Sequence, residues 1–341
     1  MGICISCSAS GHKIQDGNEN AMFFRKNSDV FGAQSHGSLY SKEGSKGLNQ
    51  DSAILYQGYG VGDASFCGVF DGHGGNGHVV SQMVKNHLPA LLQSQMEALE
   101  HVSLVPESGG ELQNRIHGTD AESKPSQKFD KWEEALVNAF KVMDKEIKLQ
   151  ESLDCSCSGS TAVVVIRQGE DLFIANLGDS RAILGTMTEN GIEGIQLTTD
   201  LKPGLPNEAE RIRACKGRVI ALEHEKHIQR VWLPHEFLPG LAMSRAFGDF
   251  LLKDYGIIAV PDVSHRRLTS KDQFIVLATD GVWDVLSNNE VASIVWEAES
   301  AEAAARAVTE TATATWRTKY PTSKIDDCTV VCLFLNSLQL L

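Results

Sequence analysis

The run Ser65-Phe66-Cys67-Gly68-Val69-Phe70-Asp71-Gly72-His73-Gly74-Gly75 sets the tightest limit on how this chain can fold. An apolar and aromatic stretch that stops at a carboxylate, a glycine and an imidazole reads as a buried strand delivering its last side chains into a cleft. The glycines let backbone approach a ligand closely. The same ending recurs at Gln273-Phe274-Ile275-Val276-Leu277-Ala278-Thr279-Asp280-Gly281 and, more weakly, at Asp171-Leu172-Phe173-Ile174-Ala175-Asn176-Leu177-Gly178-Asp179. One Asp-Gly is ordinary turn chemistry. Three strands each tipped by Asp point to a hard-cation site, because Mg²⁺ and Mn²⁺ favour carboxylate, carbonyl and water oxygens.

The 341 residues suffice for one large core without staples. A formal charge of −13 argues against a general nucleic-acid binder, which needs clustered Lys and Arg. Eight cysteines, with only Cys4 and Cys7 in a Cys-x-x-Cys spacing, make no structural zinc site and fit free thiols in a reducing compartment. Cys155-Ser156-Cys157 reads as small residues entering a strand rather than a redox pair.

Met1-Gly2-Ile3-Cys4-Ile5-Ser6 fits the N-myristoylation pattern, with Gly2 as acceptor. Cys4 and Cys7 are candidates for palmitate, and stable anchoring needs two such chains. Residues 1–30 are therefore expected to be an acylated tether. That places the protein at the cytoplasmic face of the plasma membrane, with a cytosolic or nuclear pool where acylation is incomplete.

The folded domain is expected over 31–341. Helical spacing of Val80, Val84, Leu88 and Leu92, and of Trp132, Leu136, Ala139, Phe140, Met143 and Ile147, predicts two amphipathic helices, the second over 130–150 and the first interrupted near Pro89. The polar stretch 101–128 between them reads as a surface insertion. Strands at 159–166 and 171–176 pair across Gln168-Gly169-Glu170, and Arg181-Ala182-Ile183-Leu184 is expected to continue the meander. Residues 200–240, rich in proline, read as a small flap holding one short helix, capped by Asn207 and ended by Gly217. Helices are predicted at 288–297 and 301–318, and a last strand at 328–334.

These motifs resemble the metal-dependent type 2C serine/threonine protein phosphatases, most closely the plant branch, over residues 31 to 336. The resemblance is carried by Asp71-Gly72-His73-Gly74-Gly75, Gly159-Ser160-Thr161-Ala162, Ala175-Asn176-Leu177-Gly178-Asp179-Ser180-Arg181, Leu241-Ala242-Met243-Ser244-Arg245-Ala246-Phe247-Gly248-Asp249, Ala278-Thr279-Asp280-Gly281-Val282-Trp283-Asp284 and Asp326-Asp327-Cys328-Thr329-Val330-Val331. It implies an α+β fold, a four-layer α/β/β/α sandwich of two antiparallel sheets flanked by helices, with a metal cleft at one end. By the same likeness Asp71 bridges two Mg²⁺ or Mn²⁺ ions, the Gly72 carbonyl binds one, and Asp280 and Asp326 hold the other. Gln50 and Asp51 contact metal-bound waters, and Asp179 with Asp280 cradles a weaker third ion.

Two hard cations about 3.5–4 Å apart lower the pKa of a shared water and clamp an in-line displacement. Hydroxide then attacks the phosphorus of phosphoserine or phosphothreonine in a protein. His73 is the expected proton donor to the leaving oxygen. Lys46 falls where the family often has a phosphate-binding Arg, keeping charge but losing bidentate geometry. Gln50 replaces a frequent Glu, and Asp327 stands where Asn is usual. Since neighbours on a strand face opposite ways, only one of Asp326 and Asp327 should ligate, and the motif alignment selects Asp326. Arg245 and Asp249 read as a structural ion pair.

The rival reading is a pseudophosphatase serving as a binding scaffold. A nucleotide cradle at Gly72-His73-Gly74-Gly75-Asn76-Gly77 fails because no Gly-Lys-Ser/Thr follows and Asp71 would repel a bare phosphate. The Cys-x5-Arg loop of cysteine phosphatases is absent. A monomer is expected.

Overall fold

The computed structural model describes residues 21–25, 37–60, 64–104, 125–223 and 225–335. In chain order its elements are β1 (Ala21–Arg25), β2 (Gly37–Lys42), β3 (Asp51–Gln57), β4 (Ala64–His73), α1 (Gly77–Leu104), α2 (Pro125–Lys148), β5 (Gly159–Ser160), β6 (Ala162–Gln168), β7 (Asp171–Leu177), β8 (Arg181–Thr188), β9 (Gly191–Gln196), α3 (Pro206–Ala214), β10 (Arg218–Ala221), β11 (Gln229–Trp232) and β12 (Pro239–Leu241). The chain continues through β13 (Phe247–Gly248), α4 (Phe250–Lys253), β14 (Asp262–Arg267), β15 (Asp272–Ala278), α5 (Asp280–Trp283), α6 (Asn288–Trp296), α7 (Ala301–Lys319) and β16 (Cys328–Phe334).

Strand alternation builds four layers. The first sheet runs β1-β3-β4-β6-β7-β14, with β5 and β13 at its side, and the second runs β2-β16-β15-β8-β9. Val163 and Val165 face the second sheet's Leu184, Ile275 and Leu277, while their neighbours Val164 and Ile166 face Val84, Leu88, Phe140 and Met143 of α1 and α2. On the other side Phe274, Val276 and Ala278 turn outward onto Val291 of α6 and Ala304 and Val308 of α7. Each fully buried side chain of this size contributes about 1.5–3 kcal/mol. A one-residue slip of any central strand would exchange two cores at once, so the register is strongly fixed.

Local signals set the helix ends. Ser287 and Glu290 form a reciprocal capping box at the start of α6, and the Ser300 side chain accepts from Ala303 N–H at the start of α7. The hydroxyls of Thr309, Thr311, Thr313, Thr315 and Thr318 each donate to the carbonyl four residues back, which satisfies them within the helix although such bonds weaken it slightly. Pro89 sits inside α1 without ending it, and its carbonyl accepts from Tyr59 Oη at 2.7 Å.

Several expectations are corrected. The folded part reaches back beyond Phe31, since Ala21–Arg25 joins β3 as a parallel strand in an otherwise antiparallel sheet. Residues 181–184 do not continue the first meander, because β8 crosses into the second sheet and pairs with β15 and β9. Gly178, at φ 100°, breaks the extended chain where it crosses. Helix α3 starts on Leu205 and Pro206 rather than on an Asn207 cap. Lys216, at φ 65°, takes the left-handed position after it, and Gly217 follows. The flap itself is present as α3 and the sheet β10-β11-β12, over a small core of Ile212, Val231, Leu241 and Met243. The acceptor residues Gly2, Cys4 and Cys7, and residues 105–124 of the insertion, lie outside the described residues.

Candidate catalytic metal centre

The two sheets end together at one edge, and that edge is acidic. Asp51 opens β3 directly opposite Asp71 near the end of β4, Asp179 follows β7, Asp280 follows β15, and Asp326 and Asp327 precede β16. Thr279 Oγ1 donates to Asp51 Oδ2 at 2.8 Å and so ties the end of one sheet to the start of the other. Gly72 admits no larger residue, because a Cβ there would overlap Gly77 O and lie 2.5 Å from Gln50 O. Backbone is thereby brought up to the cleft, with Gly72 N–H donating to Gln50 O at 3.1 Å.

The charges are poorly compensated by the protein alone. Burial first, then Asp51, Asp280, Asp326 and Asp179, pushes the Asp71 carboxyl well above its ordinary range. Asp280 is pushed well up by burial and by Asp179, Asp326 and Asp284. Burial and Asp327 raise Asp51 to about 8, despite hydrogen bonds from Thr329 and Thr279. Two lysines answer part of this field. Lys46 Nζ pairs with Asp326 Oδ2, and Lys202 Nζ with Asp179 Oδ2 at 2.7 Å. Among the described residues no three His, Cys, Asp or Glu side chains close tightly enough to hold an ion as they stand. The donor chemistry still fits a hard cation: carboxylates raised by one another, and a buried Asp179 Oδ1 with no hydrogen-bond partner.

Asp326 and Asp327 both precede β16 and make different contacts. Asp327 is nearly buried and accepts from the backbone N–H groups of Gly44 and Gln50, both at 2.8 Å, which makes it a brace. Asp326 faces the cleft and Lys46. The Gln50 amide donates to Gly74 O at 2.8 Å and spans the loop that carries Gly72 and His73.

Two relationships escaped the sequence. Asp249 does not pair with Arg245. Arg245 joins Arg211 and Ser244 around the buried Glu208, whereas Asp249 Oδ2 accepts from His73 Nε2 at 2.6 Å. Burial alone would lower the His73 pKa, but the charge and hydrogen bond of Asp249 more than offset it and raise the value. Asp284, one turn beyond Asp280, also joins the acidic group, raised by burial and Asp179. The Asp-Gly-x-x-Asp spacing could have flagged it, since residues four apart share a helix face.

A two-sheet sandwich with an acidic cleft at the strand ends fits a hydrolase that works with hard cations. The family model "Protein phosphatase 2C" matches residues 109–319, more than half of the chain. A "Probable protein phosphatase 2C 72" from Arabidopsis thaliana is 51% identical over 99% of this chain and 98% of its own length, and a "Probable protein phosphatase 2C 66" from Oryza sativa is 48% identical over 90% of this chain and 60% of its own length. The crystal structure of a serine-threonine phosphatase 2C from Toxoplasma gondii superposes with a TM-score of 0.74 at 25% identity, covering 89% of this chain and 96% of that one. The chain belongs to the protein phosphatase 2C family and is a protein-serine/threonine phosphatase of the metal-dependent class.

Proposed function

We propose that this chain hydrolyses phosphoserine and phosphothreonine in proteins in one displacement by water, using two Mg²⁺ or Mn²⁺ ions. Asp71, the Gly72 carbonyl, Asp280 and Asp326 would hold them, with Gln50 and Asp51 acting on waters and Asp179 beside a weaker third position. The observation that carries the reading is the convergence of Asp51, Asp71 and Asp280 at one edge of the sheets, where burial and neighbouring carboxylates raise their pKa values, an unfavourable arrangement that bound cations would relieve. When bound, such ions neutralise the carboxylates and acidify water beside the phosphorus. The remaining steps belong to the chain's own residues. Asp249 holds the His73 ring through Nε2; Nδ1, which is buried and has no partner in the free protein, would deliver a proton to the leaving seryl or threonyl oxygen once substrate or a small ring movement brings the two together. Lys46, with about half of its side chain exposed at 54%, offers one ammonium to a phosphate oxygen on leaving Asp326.

The test is phosphothreonine-peptide hydrolysis by the wild type and Asp71→Asn, with Mn²⁺ and with EDTA. Turnover is expected only for the wild type with Mn²⁺. Hydrolysis that persists in EDTA sinks the reading.

We also propose, from the Met1–Ser6 pattern alone, that Gly2 is myristoylated and that Cys4 or Cys7 adds palmitate, giving a membrane-tethered signalling enzyme. Alkynyl-myristate labelling of the wild type and Gly2→Ala in plant cells, followed by fractionation, checks it. No label on the wild type removes the idea.

A further inference from the structure

The carboxylate that holds His73 stands on an unusual piece of backbone. Gly248 and Asp249 are both left-handed, at φ 72° and 49°, immediately before the short helix α4. Two such residues in succession persist only where the surroundings fix them, above all when the second carries a side chain. Part of that support comes from the loop before β5: Ser158 O accepts from Asp249 N–H, and Cys155 O and Ser156 O accept from the N–H groups of Phe250 and Leu251, all at 3.0 Å. The rest comes from α2. Asp144 Oδ1 accepts from Gly248 N–H at 2.9 Å, and one turn earlier Phe140 packs against Phe247 with ring centroids 5.1 Å apart. Residues four apart share a helix face, so α2 grips 247 and 248 with two successive turns. Lys253 closes the arrangement from α4: its ammonium lies 3.1 Å from both Asp144 oxygens and donates to Ala246 O at 2.8 Å. One ion pair thus ties down the backbone on the approach to the left-handed turn and at the turn itself.

We propose that Asp144, braced by Lys253, is a positioning residue for the reaction: through Gly248 it sets the left-handed turn that aims the Asp249 carboxylate at His73 Nε2. The proposal rests on the reading of His73 as proton donor. Asp144 acts through backbone and not on substrate. Without its carboxylate the buried Gly248 N–H loses its acceptor, and an unsatisfied buried donor is costly enough to move the chain. The glycine is then free to leave its left-handed state, carrying Asp249 Oδ2 away from the ring. His73 keeps its place in β4 but loses the hydrogen bond that fixes its orientation.

The leaving group separates positioning from mere support. Rates with saturating Mn²⁺ are measured on a phosphothreonine peptide and on p-nitrophenyl phosphate for the full-length wild type, Asp144→Ala, Lys253→Met and Asp249→Asn, and for each of the first two substitutions combined with Asp249→Asn. Asp144→Ala is expected to lose about tenfold or more in kcat on the peptide with KM little changed, as small misplacements of a catalytic group do. The loss on p-nitrophenyl phosphate, whose phenolate departs without a proton, should be much smaller. Lys253→Met is expected to shift the same way, and suffices if Asp144→Ala does not fold. In the double variants the loss on the peptide should equal that of Asp249→Asn alone, because Asp144 works only through Asp249. Equal losses on both substrates, or losses that multiply in the double variants, overturn the role given to Asp144 and leave the proton donor standing. Should Asp249→Asn itself lose equally on both substrates, the proton-donor reading falls and this proposal falls with it.

Discussion

Asp249 Oδ2 lies 2.6 Å from His73 Nε2, joining side chains 176 residues apart in the sequence. A carboxylate acceptor puts a hydrogen on Nε2 and leaves Nδ1, buried without a partner, as the nitrogen proposed above to carry the proton. Space for the pair is made by Gly159, where a Cβ would stand 2.5 Å from Asp249 Oδ2 and 2.9 Å from His73 Nε2. Asp249 itself has φ 49°, a left-handed conformation that Asp tolerates better than most residues.

If Asp249 positions a proton donor, its loss should depend on the leaving group. Asp249→Asn, which retains shape and backbone preference, is expected to lower kcat on a phosphothreonine peptide by about 10- to 100-fold, part of the usual worth of general acid catalysis. Turnover of p-nitrophenyl phosphate, whose phenolate departs without a proton, should change little. An equal loss on both substrates would mean that Asp249 only supports the fold.

The flap should be acid-sensitive through Glu208. Burial alone would raise this carboxyl, but hydrogen bonds from Arg245, Arg211 and Ser244 outweigh it and bring it down to about 2 from 4.5. A depressed carboxylate stabilises the fold above its unfolded pKa and stops doing so as pH falls through the folded value. The contribution is thus full above about pH 5 and lost towards pH 2, and is worth about 3 kcal/mol at neutrality. Urea unfolding of the wild type and Glu208→Gln at pH 7, 4 and 3 should show a gap of that order that narrows with acid. A gap independent of pH would count against the network.

The layers were legible because period-two alternation is local: Val163 to Ile166 and Phe274 to Ala278 declare two faces each, and the helices that cover them carry complementary stripes. The clustering of Asp71, Asp280 and Asp326 was legible because each follows or precedes a buried strand. What stayed hidden is relational. Neither the Asp249 partner nor the Lys202 partner can be read from neighbours in the chain, since both are decided by how the flap returns to the sandwich. The change of sheet after Asp179 is invisible because β7 and β8 carry equally apolar faces. The cap at Leu205 and Pro206 prevailed over Asn207 because Pro costs nothing at the first helical position, where no N–H is needed.

Gly281 sets the distance between two expected ligands. A Cβ there would overlap Asp327 O, and the carbonyl of Gly281 accepts from Trp316 Nε1 at 2.6 Å, so the residue cannot retreat freely. Gly281→Ala must push α5 away from β16 and move Asp280 relative to Asp326. We expect about 1–3 kcal/mol of destabilisation, the usual cost of overpacking, together with weaker Mn²⁺ binding by calorimetry. Wild-type Mn²⁺ affinity in a destabilised Gly281→Ala would show that the spacing is not critical.

Asp71 should exchange stability for ion binding. Its raised pKa means that ionisation costs free energy in the folded state, and the penalty grows as pH rises above the ordinary carboxylate value of 3.8. Asp71→Asn removes that charge while keeping its shape. In EDTA at pH 7 the variant is therefore expected to melt above the wild type, by about 2–4 °C for each kcal/mol relieved. In saturating Mn²⁺ the order should reverse, because a ligand at a hundred times its Kd stabilises the wild type by about 2.7 kcal/mol per site while the variant has lost a carboxylate proposed to hold the ions. Scanning fluorimetry of both proteins with and without Mn²⁺ reads the crossing directly. An Asp71→Asn protein that melts below the wild type in EDTA would mean that the carboxylate is compensated within the fold, and that the acidic edge does not depend on cations.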